Sequence, residues 1–422
     1  MKPSHYQVAR SHELLAEHSW FNRTLLNSVL RQLPELNYGT LDLQLPNGQQ
    51  LQLGKVQDGE PRAEIRLNNF RPLRRLLQGG QLGMAESYMA GEWDSPDLVA
   101  LMRWALGNER QMPDLSNGKL WLRLLNRLVH LRRANTKRGS RRNIAYHYDL
   151  GNDFYRLWLD PSMTYSSALF SSPEQSLFDA QQQKYRRIAQ MLDLQPGQQV
   201  LEVGCGWGGF AELAATEFGA CVHGITLSQE QLLFAQQRID NAGLSEQCHF
   251  SLTDYRDLEG QYDHIVSIEM FEAVGEEHWA TYFRTLQGVL KPGGRAVLQV
   301  ISIAEDRFEE YRRNPDFIQR YIFPGGMLPS PSRMQTALEQ QQLKLTDSQF
   351  FGLDYAKTLT IWRHNFIEQW PRVKAQGFDE RFRRMWLYYL AYCEGAFATR
   401  LLMSVFTSWS TREPAAFATS TV

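Results

Sequence analysis

The early part of the chain alternates apolar and polar residues as a β-hairpin does. In GTLDLQLPNGQQLQLG, leucines occupy every second position on both sides of Asn47-Gly48, a dipeptide that favours tight hairpin turns. Residues 62–69 alternate in the same way and predict a further strand. Residues 73–79 and 82–106 have helical spacing, with a break at Gly91. Residues 1–118 are therefore predicted to form a small α+β domain.

From residue 143 onward the pattern changes. Short β-type runs alternate with helical segments, and the runs are QQVLEVG, ACVHGITL, QCHFSLTD, YDHIVSI and GGRAVLQVI. This alternation is typical of βαβ units on a mostly parallel sheet. A helical, aromatic-rich segment follows, and residues 412–422 resemble a frayed end. We therefore predict an α/β domain over residues 143–411.

The segment 119–142 between these domains is strongly basic. It carries nine Lys and Arg residues and no Asp or Glu, and its first half spaces apolar residues as one face of a helix. An apolar face flanked by cations suits an anionic membrane surface. The alternative interpretation is a helix packed on a neighbouring domain, followed by a solvated linker.

Composition narrows the class of protein. The 45 Lys and Arg residues nearly balance the 46 Asp and Glu residues, which argues against a protein that coats nucleic acid. The four cysteines form no CxxC pair, so we expect no disulfide framework, no metal site and a reducing, cytoplasmic location. The N-terminus has no signal-peptide pattern, and no uncharged apolar run reaches the roughly 18 residues of a membrane span. Any membrane contact is expected to be peripheral.

The most informative local motif is VLEVGCGWGGF, residues 200–210. A strand ends near Glu202 and passes into a helix through Gly204, Gly206 and Gly208, which allow a tight turn and close approach of a ligand. Such a loop can serve NAD, FAD or S-adenosylmethionine. The GxGxGG spacing, and the lack of an acidic residue ending the next strand, favour S-adenosylmethionine. The alternative is a purely structural glycine turn.

Further side chains are candidates for contact with this ligand. Thr226 and Gln231 follow the second strand and are expected near the ribose hydroxyls, whereas Asp254 and Tyr255 follow the third and are expected near the adenine.

Motifs spread over nearly the whole chain resemble those of the cyclopropane-fatty-acyl-phospholipid synthases, a family related to the mycolic-acid methyltransferases. The motifs are LGMAESYMAGEWDSPDL (82–98), AYHYDLGNDFYRLWLDPSMTYSS (145–167), VLEVGCGWGG (200–209), GITLSQEQ (224–231), DHIVSIEMFEAVG (263–275), RYIFPGGMLPS (320–330), FGLDYAKTLTIW (351–362) and MWLYYLAYCEGAF (385–397).

The resemblance implies a Rossmann-like class I methyltransferase domain with a helical, lipid-facing cap. It implies methyl transfer from S-adenosylmethionine to a double bond in a phospholipid acyl chain, most simply giving a cyclopropane. It also implies that the N-terminal domain helps to bind the inner face of the membrane and supports a homodimer. By the same resemblance, Tyr148, Tyr165 and Ser166 are expected to contact the methyl donor.

The resemblance further implies a bound bicarbonate that accepts the departing proton. Its expected contacts are Glu272, Tyr355 and the backbone of Ile301, together with Ser167 and Gln299. The last two depart from the family pattern, which has cysteine and histidine there. Serine and glutamine still donate hydrogen bonds, but neither is an imidazole that titrates. Glu269, three residues before Glu272, is interpreted as a solvated carboxylate on the same helical face.

Three alternatives remain open at this stage. A shifted base would take a proton from the acyl chain and give a methyl-branched alkene. A soluble small-molecule N-methyltransferase is a different substrate class, and a non-enzymatic protein that binds the donor at a membrane is a third. Aromatic residues such as Trp362 suit stabilisation of a carbocation, although each also suits plain core packing.

Overall fold

The computed structural model describes residues 19–33, 36–55, 58–112, 135–137, 139–140, 142–143 and 150–411. Tyr148, most of the basic segment 119–142 and the end 412–422 lie outside these residues. Contacts divide the chain into two compact units. The first unit contains residues 1–132, 310–322 and 370–401, and the second contains residues 133–309, 323–369 and 402–422.

The first unit contains a four-stranded sheet in the order β2-β1-β3-β4. Its strands are β1 (Thr40–Gln44), β2 (Gln50–Gly54), β3 (Arg62–Leu67) and β4 (Trp93–Asp94). The predicted hairpin is confirmed, because β1 and β2 pair antiparallel around the turn that contains Gly48. Strand β3 pairs parallel with β1. The α+β prediction for this part of the chain is therefore confirmed.

The helices of this part of the chain are α1 (Trp20–Gln32), α2 (Arg71–Met89) and α3 (Leu98–Asn108), of which α3 packs on β3 and α2 packs on β4. Gly91, with a positive φ, lies just after α2 at the predicted break. A late helix, α12 (Glu380–Ala398), also packs against α2 and α3. Arg384 of α12 donates hydrogen bonds to the carbonyls of Tyr88 and Trp93. Residues 370–401 thus join the first unit, although the sequence pattern placed them in the domain 143–411.

The second unit is built on a seven-stranded sheet in the order β10-β11-β9-β8-β5-β6-β7. The strands are β5 (Gln199–Val203), β6 (Cys221–Thr226), β7 (Cys248–Leu252), β8 (Tyr262–Ile268), β9 (Leu290–Ile303), β10 (Leu343–Phe350) and β11 (Leu402–Thr411). Strands β5 to β9 are parallel, as predicted, whereas β10 and β11 are antiparallel. This arrangement confirms the α/β fold class.

Helices connect these strands. They are α4 (Asn152–Tyr155), α5 (Leu177–Leu192), α6 (Gly209–Phe218), α7 (Gln229–Ala242), α8 (Trp279–Val289), α9 (Phe308–Tyr311), α10 (Pro331–Glu339) and α11 (Gly352–Ala375). Helix α5 begins at Ser176, whose hydroxyl accepts from the Asp179 amide, and buries an apolar face at helical spacing. No helix in the described ranges is long and apolar enough to cross a membrane.

The topology fixes where ligands can approach the sheet. Strands β5 and β8 are parallel neighbours, so Val203 and Ile268 end at the same edge of the sheet. In open α/β sheets this carboxyl edge is the usual ligand site. The turns that follow β5 and β8 are therefore the candidate position of the active site.

Candidate active site

The glycine loop after β5 has a backbone conformation that allows a ligand or a neighbouring segment to approach it closely. Gly204, Gly206 and Gly208 have φ values of +85°, +52° and +81°, a region that side chains disfavour. A Cβ at Gly204 would lie 2.8 Å from Cγ of Met270, in the turn after β8. The loop therefore lies directly against that turn, with no room for a side chain at Gly204.

Glu202 is the second-to-last residue of β5, two positions before Gly204. It is buried, and its Oε2 atom has no hydrogen-bond partner among the described residues. Burial raises the pKa of Glu202 well above its ordinary value, while the Lys184 charge acts in the opposite direction. An unsatisfied carboxylate oxygen under a glycine cradle fits a ligand with hydroxyl and ammonium donors, as S-adenosylmethionine has.

Lys184, on α5, was not singled out by the sequence analysis. It is fully buried, and its Nζ donates a 2.6 Å hydrogen bond to Oγ of Ser166. Burial lowers the pKa of Lys184 to about 7, although the charges of Glu269, Asp160 and Glu202 act to raise it. Ser166 is thus anchored rather than free. The sequence did contain a signal for the burial of Lys184, because this lysine has the same helical spacing as the buried apolar residues of α5.

Three of the four residues expected near the ribose and adenine, Thr226, Gln231 and Asp254, bond to nearby side chains. Thr226 donates to Oε1 of Gln231 at 3.0 Å, at the end of β6. Both oxygens of Asp254 accept from the Arg256 guanidinium, at 2.8 and 2.7 Å. Burial acts to raise the pKa of Asp254, but the Arg256 hydrogen bonds and charge outweigh it and hold the pKa below its ordinary value. The hydroxyl of Tyr255 is buried without a partner in the described part of the chain.

Glu269 stands at the centre of the turn after β8. Its Oε1 accepts from the Ser167 amide at 2.9 Å and from Nε2 of Gln299 at 2.7 Å, and its Oε2 accepts from the Tyr355 hydroxyl at 2.6 Å. Its backbone has a φ of +49°, which is uncommon for glutamate. Burial raises the pKa of Glu269, and its hydrogen bonds and the Lys184 charge act to lower it.

This geometry corrects the interpretation of Glu269 as a solvated carboxylate. Nor do Glu269 and Glu272 share a helical face, since Glu269 lies in the left-handed region before a single 3₁₀ turn, Phe271–Ala273. The Ser167 hydroxyl was expected to face an anion, but it donates to the Ala168 carbonyl, and the backbone amide of Ser167 faces Glu269 instead. Glu269 escaped prediction because its partners lie far apart in the chain.

Glu272 is the second carboxyl group of the cluster. Its Oε1 accepts from the Ile301 amide at 2.5 Å, and its Oε2 is buried with no partner among the residues described. Burial, and then the charge of Glu269, raise the pKa of Glu272 to about 8. The two carboxyls therefore differ, since one has three donors and the other has one.

Aromatic rings connect this cluster to the glycine loop. Tyr355 and Trp362 have ring centroids 6.1 Å apart, and Trp362 lies 5.3 Å from Tyr165. Tyr155 then lies 5.4 Å from Tyr165 and 5.3 Å from Trp207, inside the glycine loop. Tyr165 thus lies within an aromatic cluster that extends from the loop to the hydroxyl bonded to Glu269. Such ring faces can attract a developing cation.

Comparison with known proteins identifies the family of the chain. The model of the mycolic acid cyclopropane synthetase family matches residues 135–406. A tuberculostearic acid methyltransferase of Mycobacterium tuberculosis is 39% identical over 338 residues, which cover 78% of each chain. A cyclopropane-fatty-acyl-phospholipid synthase of Escherichia coli is 38% identical over 351 residues, which cover 82% of this chain and 87% of the relative.

Solved structures give the same picture. A mycolic acid cyclopropane synthase, crystallised with S-adenosylhomocysteine and CTAB, is 31% identical and superposes with a TM-score of 0.60, covering 64% of this chain and 97% of the other. The α/β unit is therefore a class I methyltransferase fold, and its methyl donor is S-adenosylmethionine. The chain belongs to the mycolic acid cyclopropane synthetase family of S-adenosylmethionine-dependent methyltransferases.

Proposed function

We propose that this enzyme transfers the methyl group of S-adenosylmethionine to the double bond of an unsaturated phospholipid acyl chain and closes a cyclopropane ring. The observation that carries the proposal is the pair Glu269 and Glu272, in the turn whose Met270 lies against the glycine loop, with the aromatic residue Tyr355 hydrogen-bonded to Glu269. The names of the relatives in Mycobacterium tuberculosis and Escherichia coli support a lipid substrate.

The proposed chemistry matches what the site offers. A methyl sulfonium is reactive, so the enzyme needs to position an alkene rather than supply a nucleophile. Attack by the alkene leaves a carbocation, which aromatic faces stabilise by about 0.5–2 kcal/mol each. A base must then accept a proton, and carboxylates are the side chains placed for this role. The residues that would hold the donor are Glu202, Gly204, Gly206, Gly208, Tyr148, Tyr165 and Ser166, with Thr226, Gln231, Asp254 and Tyr255 around its nucleoside part.

A second candidate shares the methyl transfer but differs in the final step. The partners expected for a separate bicarbonate already bond to side-chain carboxylates, so a side chain would serve as the base in its place. If that base faces the acyl chain instead of the new methyl group, the product is a methyl-branched alkene. The two products are isomers.

The cellular location and the oligomeric state of the enzyme are part of the same proposal. The enzyme would act in the cytoplasm as a peripheral protein on the inner face of the membrane, held there by the basic segment 119–142. It would do so as a homodimer.

The test is product analysis with purified enzyme. Methyl-labelled S-adenosylmethionine is incubated with vesicles of monounsaturated or fully saturated phospholipid, and the fatty acid esters are isolated. We expect label in the unsaturated lipid only, with the strongly upfield proton NMR signals of a cyclopropane methylene. A methyl signal beside a surviving alkene would support the second candidate. Label in added small amines but not in lipid would instead indicate an N-methyltransferase.

A further inference from the structure

Glu269 occupies the position that the family resemblance assigns to bicarbonate. Bicarbonate and a carboxylate share a planar, anionic O–C–O group, so they satisfy the same donors. Three of the expected donor positions, Ser167, Gln299 and Tyr355, already direct hydrogen bonds of 2.6–2.9 Å to the two oxygens of Glu269. A separate bicarbonate therefore does not fit these residues as they are arranged.

The remaining two expected contacts, Ile301 and one oxygen of Glu272, bond to each other. The Ile301 amide donates to Glu272 rather than facing open space. We infer that the Glu269 carboxylate replaces bicarbonate and is the base that accepts the proton in this enzyme. This inference rests on the proposed function, because it names the group that completes that reaction.

The backbone supports a dedicated role for Glu269. Left-handed φ values in residues other than glycine are uncommon and concentrate at functional sites, where surrounding contacts hold them. Here the Glu269 amide donates to the Gln299 carbonyl at 2.8 Å, and the Gln299 side chain returns a bond to Oε1. One residue thus holds both ends of Glu269 in place.

The surroundings of the two carboxyls differ. Burial raises the pKa of both, but three hydrogen-bond donors and the Lys184 charge oppose the rise at Glu269, whereas the Glu269 charge adds to it at Glu272 and brings that pKa to about 8. Glu269 is therefore the carboxyl whose surroundings better stabilise the ionised form, which is the form that can accept a proton.

The reaction balances with this residue as acceptor. The alkene π electrons form the new C–C bond as the S–CH₃ bond breaks, and the sulfonium becomes a neutral thioether. A C–H bond of the transferred methyl then breaks, its electron pair forms the third ring bond, and its proton passes to Glu269. The proton later leaves to solvent, so no other reactant is consumed.

The first test is the Glu269→Gly variant, because glycine adopts a φ of +49° without strain and leaves an anion-sized space among the donors. In buffer free of bicarbonate we expect lipid methylation to fall by about 100-fold or more, as for loss of a general base. Added bicarbonate should raise that rate by about tenfold or more, whereas wild-type turnover should not respond to it.

Binding of bicarbonate can also be measured directly, without relying on turnover. Carbon-13 bicarbonate should bind Glu269→Gly in an NMR titration and should not bind the wild-type protein. Wild-type enzyme that binds bicarbonate, or that needs it for turnover, would overturn the inference. Absence of any lipid product from wild-type enzyme would instead count against the proposed function, and the binding result would still decide whether Glu269 fills the anion site.

Two further variants complete the design. Glu269→Gln keeps the shape of the side chain but removes the base, and should be as slow as the glycine variant without rescue by bicarbonate. Glu259→Gln makes the same chemical change at an exposed position and should behave as wild type. Calorimetric binding of S-adenosylmethionine checks that each variant is folded, and full activity of a folded Glu269→Gln enzyme would refute the role.

Discussion

At the scale of single residues, two glutamates three positions apart have different surroundings. Glu269 collects three hydrogen bonds, whereas Glu272 has the Ile301 amide and an unsatisfied oxygen. The charge of Glu269 disfavours ionisation of Glu272, as in other buried carboxylate pairs. The two glutamate side chains are chemically identical, but their hydrogen-bond partners make them different as acids.

The raised pKa of Glu272 has a consequence for stability. The folded protein binds its proton up to about pH 8, whereas the unfolded chain releases it near the ordinary pKa of 4.5. The stability that this group contributes is thus complete below the unfolded pKa and is lost as the pH rises through the folded pKa. Glu272→Gln, which cannot ionise, should flatten the decline in unfolding midpoint across this window.

Urea unfolding of wild type and Glu272→Gln at a series of pH values measures this effect. The exposed Glu259→Gln variant controls for a change of net charge. Because Lys184 titrates in an overlapping range, the informative quantity is the difference between the two proteins at each pH. Parallel curves for wild type and Glu272→Gln would contradict the assigned pKa of Glu272.

The family resemblance pointed to Glu272, Tyr355, Ser167, Gln299 and Ile301, and the structure brings all five to one place. The patterns could not identify Glu269 as their common partner. Its contacts are 102, 86 and 30 positions away, and only the pairing of strands and the docking of α11 bring them together. Lys184 was missed for a related reason, since its burial depends on packing rather than on local sequence.

At the scale of elements, the turns after β5 and β8 form one functional edge. The positive φ of Gly204 lets the loop after β5 lie against Met270, which directly follows Glu269. A shift of this loop would therefore disturb both the expected donor site and the carboxylate pair. The geometry couples binding of the donor to the position of the base.

Gly204→Ala tests this coupling. The new methyl group would meet Met270 at 2.8 Å in a backbone region that disfavours side chains, so the loop must move. A displacement that costs about 1.4 kcal/mol lowers affinity about tenfold, and we expect at least this loss for S-adenosylmethionine in a calorimetric titration.

Gly197→Ala is the matched control for this change. Gly197 also has a positive φ, of +80°, but a methyl group there would meet nothing within 4 Å. It should lose a similar amount of stability and keep its affinity for S-adenosylmethionine. Equal affinity loss in both variants would show that backbone strain, rather than the Met270 contact, governs the loop.

The elements themselves were predictable where the pattern was strong. Sequence alone identified β1 and β2 from their alternation, and β5 to β9 from their apolar runs. Both patterns follow directly from which side chains of a strand are buried. Strands β10 and β11 were missed, because β10 mixes apolar and charged residues and pairs only at the sheet edge. The return of α12 to the first unit depends on distant contacts that no local pattern encodes.

At the scale of the whole molecule, the second unit has the methyltransferase fold, and the first unit contains a separate four-stranded sheet. The proposed substrate lies within a membrane, so a means of binding the lipid surface is required. The basic segment 119–142 stays a prediction for this role, because most of it lies outside the described residues.

Replacement of Arg132, Arg133, Arg138 and Arg141 with alanine should weaken sedimentation with anionic vesicles. Each cation near such a surface contributes about 1 kcal/mol, and the effect should shrink as salt is raised. The matched lysine variant keeps the charge and should bind as wild type does. Unchanged vesicle binding by the alanine variant would contradict the role, and a parallel loss of S-adenosylmethionine affinity would indicate misfolding.

The most direct test of the central claim follows a deuterated methyl group from S-adenosylmethionine into monounsaturated phospholipid vesicles. We expect the acyl chain to gain the labelled carbon with two of its three deuterium atoms, because the third leaves as the ring closes. Retention of all three would contradict ring closure and favour the methyl-branched product. If the enzyme binds S-adenosylmethionine but no label enters the acyl chain, the central claim is wrong.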